Sequence, residues 1–252
     1  MTSTQNTFRH RLLTKELLVG TFQKTPSMMI SEVLASTKID VVCIDAEHSP
    51  FDRSDIDAAL LAYRAADKPS LVRIQSSAAE QILNALDCGA TGVVVPHVDS
   101  VAKAKSIAKA ARFGDKGRGY AGSTRAANYA GNTVAKNIQN NLTNVLVAQI
   151  EDLAALDVID DIAAVEGIDC LFIGTMDLAV ALGCSSPKDT AVVNAAKKIC
   201  AAANNVNRRT GIFVADLNDV AYWRDQGVTL FLLGSEHGFI KSGIDDLLSK
   251  TK

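Results

Sequence analysis

Short runs that are apolar at nearly every position, rich in Val, Ile and Leu, recur along the chain between longer alanine-rich stretches. Runs without polar alternation are the signature of strands buried on both faces. Eight are present, at residues 19–22, 41–45, 70–74, 92–96, 145–151, 170–174, 211–215 and 229–234. The stretches between them predict helices over 26–37, 54–66, 78–87, 101–111, 154–165, 191–204 and 217–226. Strand followed by helix, repeated, predicts a parallel sheet with helices outside. Eight units within 252 residues fit a (β/α)8 TIM barrel forming a single domain, 1–252, with an open doubly wound sheet as the alternative. No Gly-x-Gly-x-x-Gly follows a strand and no Gly-x-x-x-x-Gly-Lys-Ser/Thr occurs, so the phosphate-cradling loops of nucleotide folds are missing. The interval 113–143 is too long for a plain connection and reads as a functional lid or as a disordered loop.

A net charge of −2 and a pI near 6.1 give no bulk attraction to a phosphate backbone or an anionic bilayer, so neither nucleic acid nor membrane is expected as a partner. The five cysteines, Cys43, Cys88, Cys170, Cys184 and Cys200, are odd in number and contain no Cys-x-x-Cys, which argues against a disulfide scaffold or a structural zinc. They read as small apolar residues in a reducing compartment. The polar stretch 1–10 lacks the apolar segment of a secretory signal, and no run is long enough to span a bilayer. A soluble, cytoplasmic protein is the expectation.

Several apolar runs end abruptly in an ionisable residue. Residues 41–44 lead to Asp45, with Glu47 and His48 beyond; Leu71 and Val72 lead to Arg73; Val147 and Ala148 lead to Gln149 and Glu151; residues 171–174 lead to Asp177. In a barrel these ends share one rim, where the active site sits in essentially every characterised example. Glu151 and Asp177 are hard oxygen donors suited to Mg²⁺ or Mn²⁺, although Asp177 equally suits a helix cap. His48 follows Asp45 by three residues, so a tight turn can bring the carboxylate to one imidazole nitrogen and leave the other as a base; a histidine satisfied in a loop is the competing reading. His10, His97 and His237 take that second reading, though the last two stand near strand ends. Arg73 needs a compensating anion, either a substrate oxyanion or a carboxylate such as Asp45 or Glu47. Gly174, Thr175, Met176 and Asp177 stand where a helix start offers N–H groups to a substrate carboxylate, or merely caps itself. Arg125, in the glycine-rich long interval, either contacts the distal part of a substrate or is a solvated loop residue. No strand run contains the lysine that Schiff-base chemistry would need.

With these residues in view, the chain resembles the HpcH/HpaI family of metal-dependent pyruvate aldolases, in the citrate lyase-like superfamily, over nearly its whole length. The resemblance is carried by six segments in order: Ile44-Asp45-Ala46-Glu47-His48-Ser49-Pro50, Val72-Arg73, residues 89–96, Gly117-Arg118-Gly119, Gln149-Ile150-Glu151 and residues 172–179. It implies a barrel of the phosphoenolpyruvate/pyruvate type whose last helix is exchanged between subunits, in a homohexamer built as a trimer of dimers. It also implies Glu151 and Asp177 as ligands of Mg²⁺ or Mn²⁺, with Co²⁺ a further candidate. His48 with Asp45 resembles the base and its partner, Arg73 the residue that stabilises the enolate, and Gln149 a substrate contact. Gly174, Thr175, Met176 and Asp177 resemble the site of the pyruvate carboxylate. The implied reaction is reversible cleavage of a 4-hydroxy-2-oxo acid to pyruvate and an aldehyde through a metal-stabilised enolate. Two alternatives stand beside it: a Claisen-type lyase or synthase for citrate-like acids or acyl-CoA thioesters, and a non-catalytic protein that binds metal and a 2-oxo acid. Thr175 stands where relatives commonly carry proline, and His97 and Ser235-Glu236-His237 are atypical.

Overall fold

All eight apolar runs form strands, because a chain segment that is apolar on both faces is satisfied only between a filled barrel interior and a layer of helices. In the computed structural model, which describes residues 4–251 with side chains from Phe8, they are β1 (Leu18–Gln23), β2 (Val41–Asp45), β3 (Ser70–Arg73), β4 (Gly92–Val95), β5 (Val145–Ile150), β6 (Cys170–Ile173), β7 (Arg209–Val214) and β8 (Leu230–Ser235). Each pairs in parallel with the next, and β1 pairs with β8, so the sheet closes into a barrel. The helices are α1 (Thr4–Leu13), α2 (Met28–Ala35), α3 (Arg53–Ala65), α4 (Ala79–Asp87), α5 (Val101–Ala110), α6 (Val134–Asn141), α7 (Leu153–Asp157), α8 (Ile159–Ala164), α9 (Thr175–Ala181), α10 (Thr190–Asn205), α11 (Asp219–Asp225) and α12 (Glu236–Thr251). None among the described residues is long and apolar enough to cross a membrane.

Side chains alternate between two cores with the period of two that a strand imposes. Val42, Ile44, Val72, Leu146 and Ile173 pack outward against the helices. Val41, Cys43, Leu71, Val94, Val145, Val147, Cys170 and Phe172 fill the interior. That phase carries forward to the strand ends: Asp45 follows Cys43, Arg73 follows Leu71, and Gln149 and then Glu151 follow Val147 on the inward face.

Two expectations need correction, and the N-terminal stretch holds a helix that was not among those expected. The helix over 154–165 is two helices, because Val158 leaves helical geometry at φ −123° and ψ 22° and ends α7 as α8 begins. The N-terminal stretch, apart from residues 1–3, which lie outside the described residues, contributes α1, whose Phe8 and Leu12 are buried in the interior cluster. Arg9 binds Asp169 at 2.7 Å and Arg209 donates to the Leu13 carbonyl at 2.8 Å, so α1 closes the N-terminal mouth of the barrel. Last, the segment 113–143 is not a lid over the rim. It joins α5 to β5, and a helix-to-strand connection returns to the N-terminal ends of the strands, opposite the active rim. There it is held by Arg118, buried in an ion pair with Asp87, and by Asn141, which donates to the Ala111 carbonyl and accepts from the Phe113 N–H.

Candidate active site

The last inward layer at the C-terminal rim is polar, and Asp45 is its hub. Its carboxylate is fully buried, accepts Arg73 Nε at 3.0 Å and Nη2 at 2.8 Å, pairs with Lys24 Nζ at 2.8 Å and accepts the His48 main-chain N–H at 3.1 Å. Burial alone would push its pKa up. The bonds from Arg73 and Lys24 outweigh that and hold it at about 2. β2 and β3 pair Asp45 directly with Arg73, so the bidentate fork is a consequence of sheet register. Arg73 also lies over the Phe22 ring, 4.6 Å from its centroid.

The expected contact between the Asp45 carboxylate and the His48 ring is absent, because both oxygens are engaged by Arg73, Lys24 and the His48 backbone. Asp45 therefore shapes the turn after β2, which Ser49 closes by donating to the Asp45 carbonyl. The ring Nε2 of His48 faces Glu47 Oε2 instead, at 3.6 Å.

Beside this hub stands a second acidic group, Glu47 and Glu151, of which Glu47 Oε2 lies 3.4 Å from Arg73 Nε. Glu151 is 2 % exposed; its Oε1 accepts the His97 main-chain N–H at 2.8 Å and its Oε2 accepts the Gln149 amide. Gly174 backs it: a Cβ there would sit 2.7 Å from Glu151 Oε2, so only glycine leaves the carboxylate its place. One donor atom each from Glu47, His97 and Glu151 lies within 4.8 Å of the others. Burial pushes the Glu47 pKa up, Arg73 pulls against it, and the neighbouring Glu151 charge adds to the rise. Glu47 Oε2 and Gln149 Oε1 are both buried without a hydrogen-bond partner. Two adjacent carboxylates, with the unpartnered Gln149 oxygen beside them, are a donor set that fits a divalent cation.

Gln149 and Gly174, which touch Glu151, also line a cavity of about 440 Å³ together with His48, Arg73, Thr175, Met176 and Asp177, with Phe22, Phe172 and Phe213 as its apolar wall. Asp177 is exposed in the first turn of α9 and lies outside the Glu47, His97 and Glu151 group. Arg125 is elsewhere: it pairs with Asp57 at 2.6 Å and borders a hollow with Ser70 and Thr91, near the N-terminal starts of β3 and β4. Lys24 was missed by sequence reasoning. It lies two residues past Phe22, in the inward phase of β1, so periodicity extended past the strand end would have found it. Glu236 was missed too; it is buried and accepts the Lys24 and Thr25 main-chain N–H groups, tying the start of α12 to the loop after β1. His97, read from sequence as a loop histidine near a strand end, belongs to the Glu47 and Glu151 group. Its positive φ of 54° turns the chain and re-aims it at Glu151.

Known proteins resemble the chain throughout. The family model described as HpcH/HpaI aldolase/citrate lyase matches residues 19–242. A hydroxypyruvate/pyruvate aldolase from Paraburkholderia phytofirmans is 33% identical over 244 residues, covering 94% of each chain. A 5-keto-4-deoxy-D-glucarate aldolase from Shigella boydii is 29% identical, covering 98% of this chain and 96% of its own. A crystal structure of an HpcH/HpaI aldolase/citrate lyase family protein from Burkholderia cenocepacia J2315 superposes with a TM-score of 0.92 at 29% identity, covering 98% of this chain and 99% of that one.

Proposed function

Because the chain belongs to the HpcH/HpaI aldolase/citrate lyase family, we propose that it is a metal-dependent aldolase that reversibly cleaves a 4-hydroxy-2-oxo acid to pyruvate and an aldehyde. Glu151 and Asp177 are assigned to hold the divalent ion, Mg²⁺, Mn²⁺ or Co²⁺. Support comes from the side-chain-free wall that Gly174 sets against Glu151 and from Asp177 lining the same cavity. When bound, the ion supplies Lewis acidity at the keto oxygen.

The remaining work falls to side chains. Arg73, held in one orientation by the Asp45 fork, offers fixed positive charge where negative charge develops on the oxo acid. His48, on the cavity wall, takes the proton from the 4-hydroxyl in cleavage and returns it in synthesis. Asp45 positions the His48 backbone and Arg73 and does not touch the imidazole. Gln149, buried at the cavity floor, contacts substrate through its amide. The first-turn N–H groups at Thr175 and Met176, which have no partner inside α9, receive the carboxylate. The three phenylalanines exclude water from the reacting centre.

The same proposal covers assembly and location. α12 exposes Phe239, Ile240, Ile244, Leu247 and Leu248. That apolar surface supports exchange of the helix between copies in a hexamer built as a trimer of dimers. Five free thiols, four of them buried, support a cytoplasmic setting, and residues 1–252 are taken as one barrel domain.

The observation that carries the function is the convergence of Arg73, His48, Gln149 and Asp177 on one cavity beside the adjacent Glu47 and Glu151 carboxylates. The test is retro-aldol cleavage of a panel of 4-hydroxy-2-oxo acids with coupled pyruvate detection, before and after chelation and metal add-back. Activity should vanish with EDTA and return with Mn²⁺, and Glu151→Ala and Asp177→Ala should lose turnover and metal dependence together. Full turnover in EDTA, or turnover confined to thioesters, would refute it.

A further inference from the structure

The atypical His97 stands between the Glu47 and Glu151 carboxylates. Its ring approaches Glu151 Oε1 with Nδ1 at 3.5 Å and Glu47 Oε1 with Nε2 at 3.8 Å. Donors sharing one first-row ion at bonds of about 2.1 Å stand roughly 3 Å apart, and one donor atom each from Glu47, His97 and Glu151 lies within 4.8 Å of the others. The surroundings are arranged to hold the ring there. Asp152 Oδ2 lies 3.1 Å from Nδ1, which fixes a proton on that nitrogen and leaves the Nε2 lone pair facing Glu47. Lys103 Nζ pins the His97 carbonyl at 2.7 Å. The left-handed backbone of His97, unusual for a residue other than glycine, is the conformation in which both its N–H and its ring face Glu151. The Glu47 side chain is only 9 % exposed, and its Oε2 faces Arg73 Nε at 3.4 Å, which leaves Oε1 on the His97 side.

We propose that His97 is a nitrogen ligand of the metal in this chain, with Glu47 and Glu151 as its oxygen neighbours and Asp152 as the carboxylate that orients the ring. It rests on the assignment of a divalent ion to Glu151. An all-oxygen site suits Mg²⁺, whereas an imidazole donor tilts affinity toward Mn²⁺, Co²⁺ and Zn²⁺. His97 is then the residue that sets metal choice.

The experiment loads the full-length protein with Mn²⁺ and records pulsed electron paramagnetic resonance. Hyperfine coupling to an imidazole ¹⁴N is expected, to disappear in His97→Asn, a side chain that tolerates the same left-handed backbone. The variant should retain its circular dichroism and bind Mn²⁺ more weakly. The excess of Mg²⁺ needed to displace Mn²⁺ should fall with it. Asp152→Asn should weaken Mn²⁺ about tenfold while keeping the coupling. Stoichiometric Mn²⁺ without ¹⁴N coupling, or coupling that survives His97→Asn and vanishes in His48→Gln, overturns the proposal while leaving the Glu151 assignment standing. If Mn²⁺ binds equally to wild type and Glu151→Gln, the assignment fails as well.

Discussion

Replacing Asp45 by Asn tests the hub of the rim. The carboxyl is held at about 2 against an ordinary 3.8, a difference worth about 2 kcal/mol of folding stability at neutral pH. Because the folded pKa is depressed, that stability is complete above about pH 4 and is lost as pH falls toward 2. Asn keeps an acceptor for the His48 N–H but removes the shared anion of Arg73 and Lys24, leaving Arg73 only the longer 3.4 Å approach to Glu47. Breaking a buried pair from one side costs about 3–5 kcal/mol, so roughly 3 kcal/mol is the expected loss at pH 7. For a chain of this size that lowers Tm by about 6–12 °C. Urea denaturation followed through buried Trp223, the chain's one tryptophan, at several pH values reads the difference. The gap between wild type and variant should be widest at pH 5–7 and narrow steadily toward pH 2, where the wild-type carboxyl is itself about half protonated. Equal stability at pH 7, or a gap independent of pH, would show that the Asp45 ion pairs do not support the fold.

Other outcomes follow from the same geometry. His48→Ala should lower kcat by about 10²–10⁴ with Mn²⁺ affinity retained, read by turnover and metal titration; loss of metal would move His48 into the coordination sphere. Gly174→Ala, whose Cβ would meet Glu151 Oε2 at 2.7 Å, should weaken Mn²⁺ binding about tenfold with circular dichroism unchanged, and unaltered affinity would mean that Glu151 is free to swing aside. Arg118→Met should cost about 3–5 kcal/mol by stranding Asp87, yet leave kcat/KM of the folded enzyme intact, because the pair sits at the N-terminal mouth; a specific loss of kcat would return the 113–143 segment to the active rim.

The order of strands, the closed barrel and the rim on which Asp45, Arg73, Gln149, Glu151 and Asp177 fall were all legible in the chain. Buried strands must be apolar on both faces, and an ionisable residue ending such a run has only the rim to occupy. Local pattern also contained two things left unread: Lys24 continues the inward phase of β1, and an interval between a helix and a strand belongs to the mouth opposite the catalytic one. What no local pattern contains is pairing across the sheet. That Asp45 spends its oxygens on Arg73, Lys24 and a backbone N–H depends on the β2 and β3 register and on the loop after β1 folding over the rim. His97 meeting Glu151 and Glu47 depends on one left-handed residue reversing a side chain's direction. These side-chain partners stand 21 to 54 positions apart in the chain, and electrostatic balance among them is a property of distances that exist only once the barrel has closed.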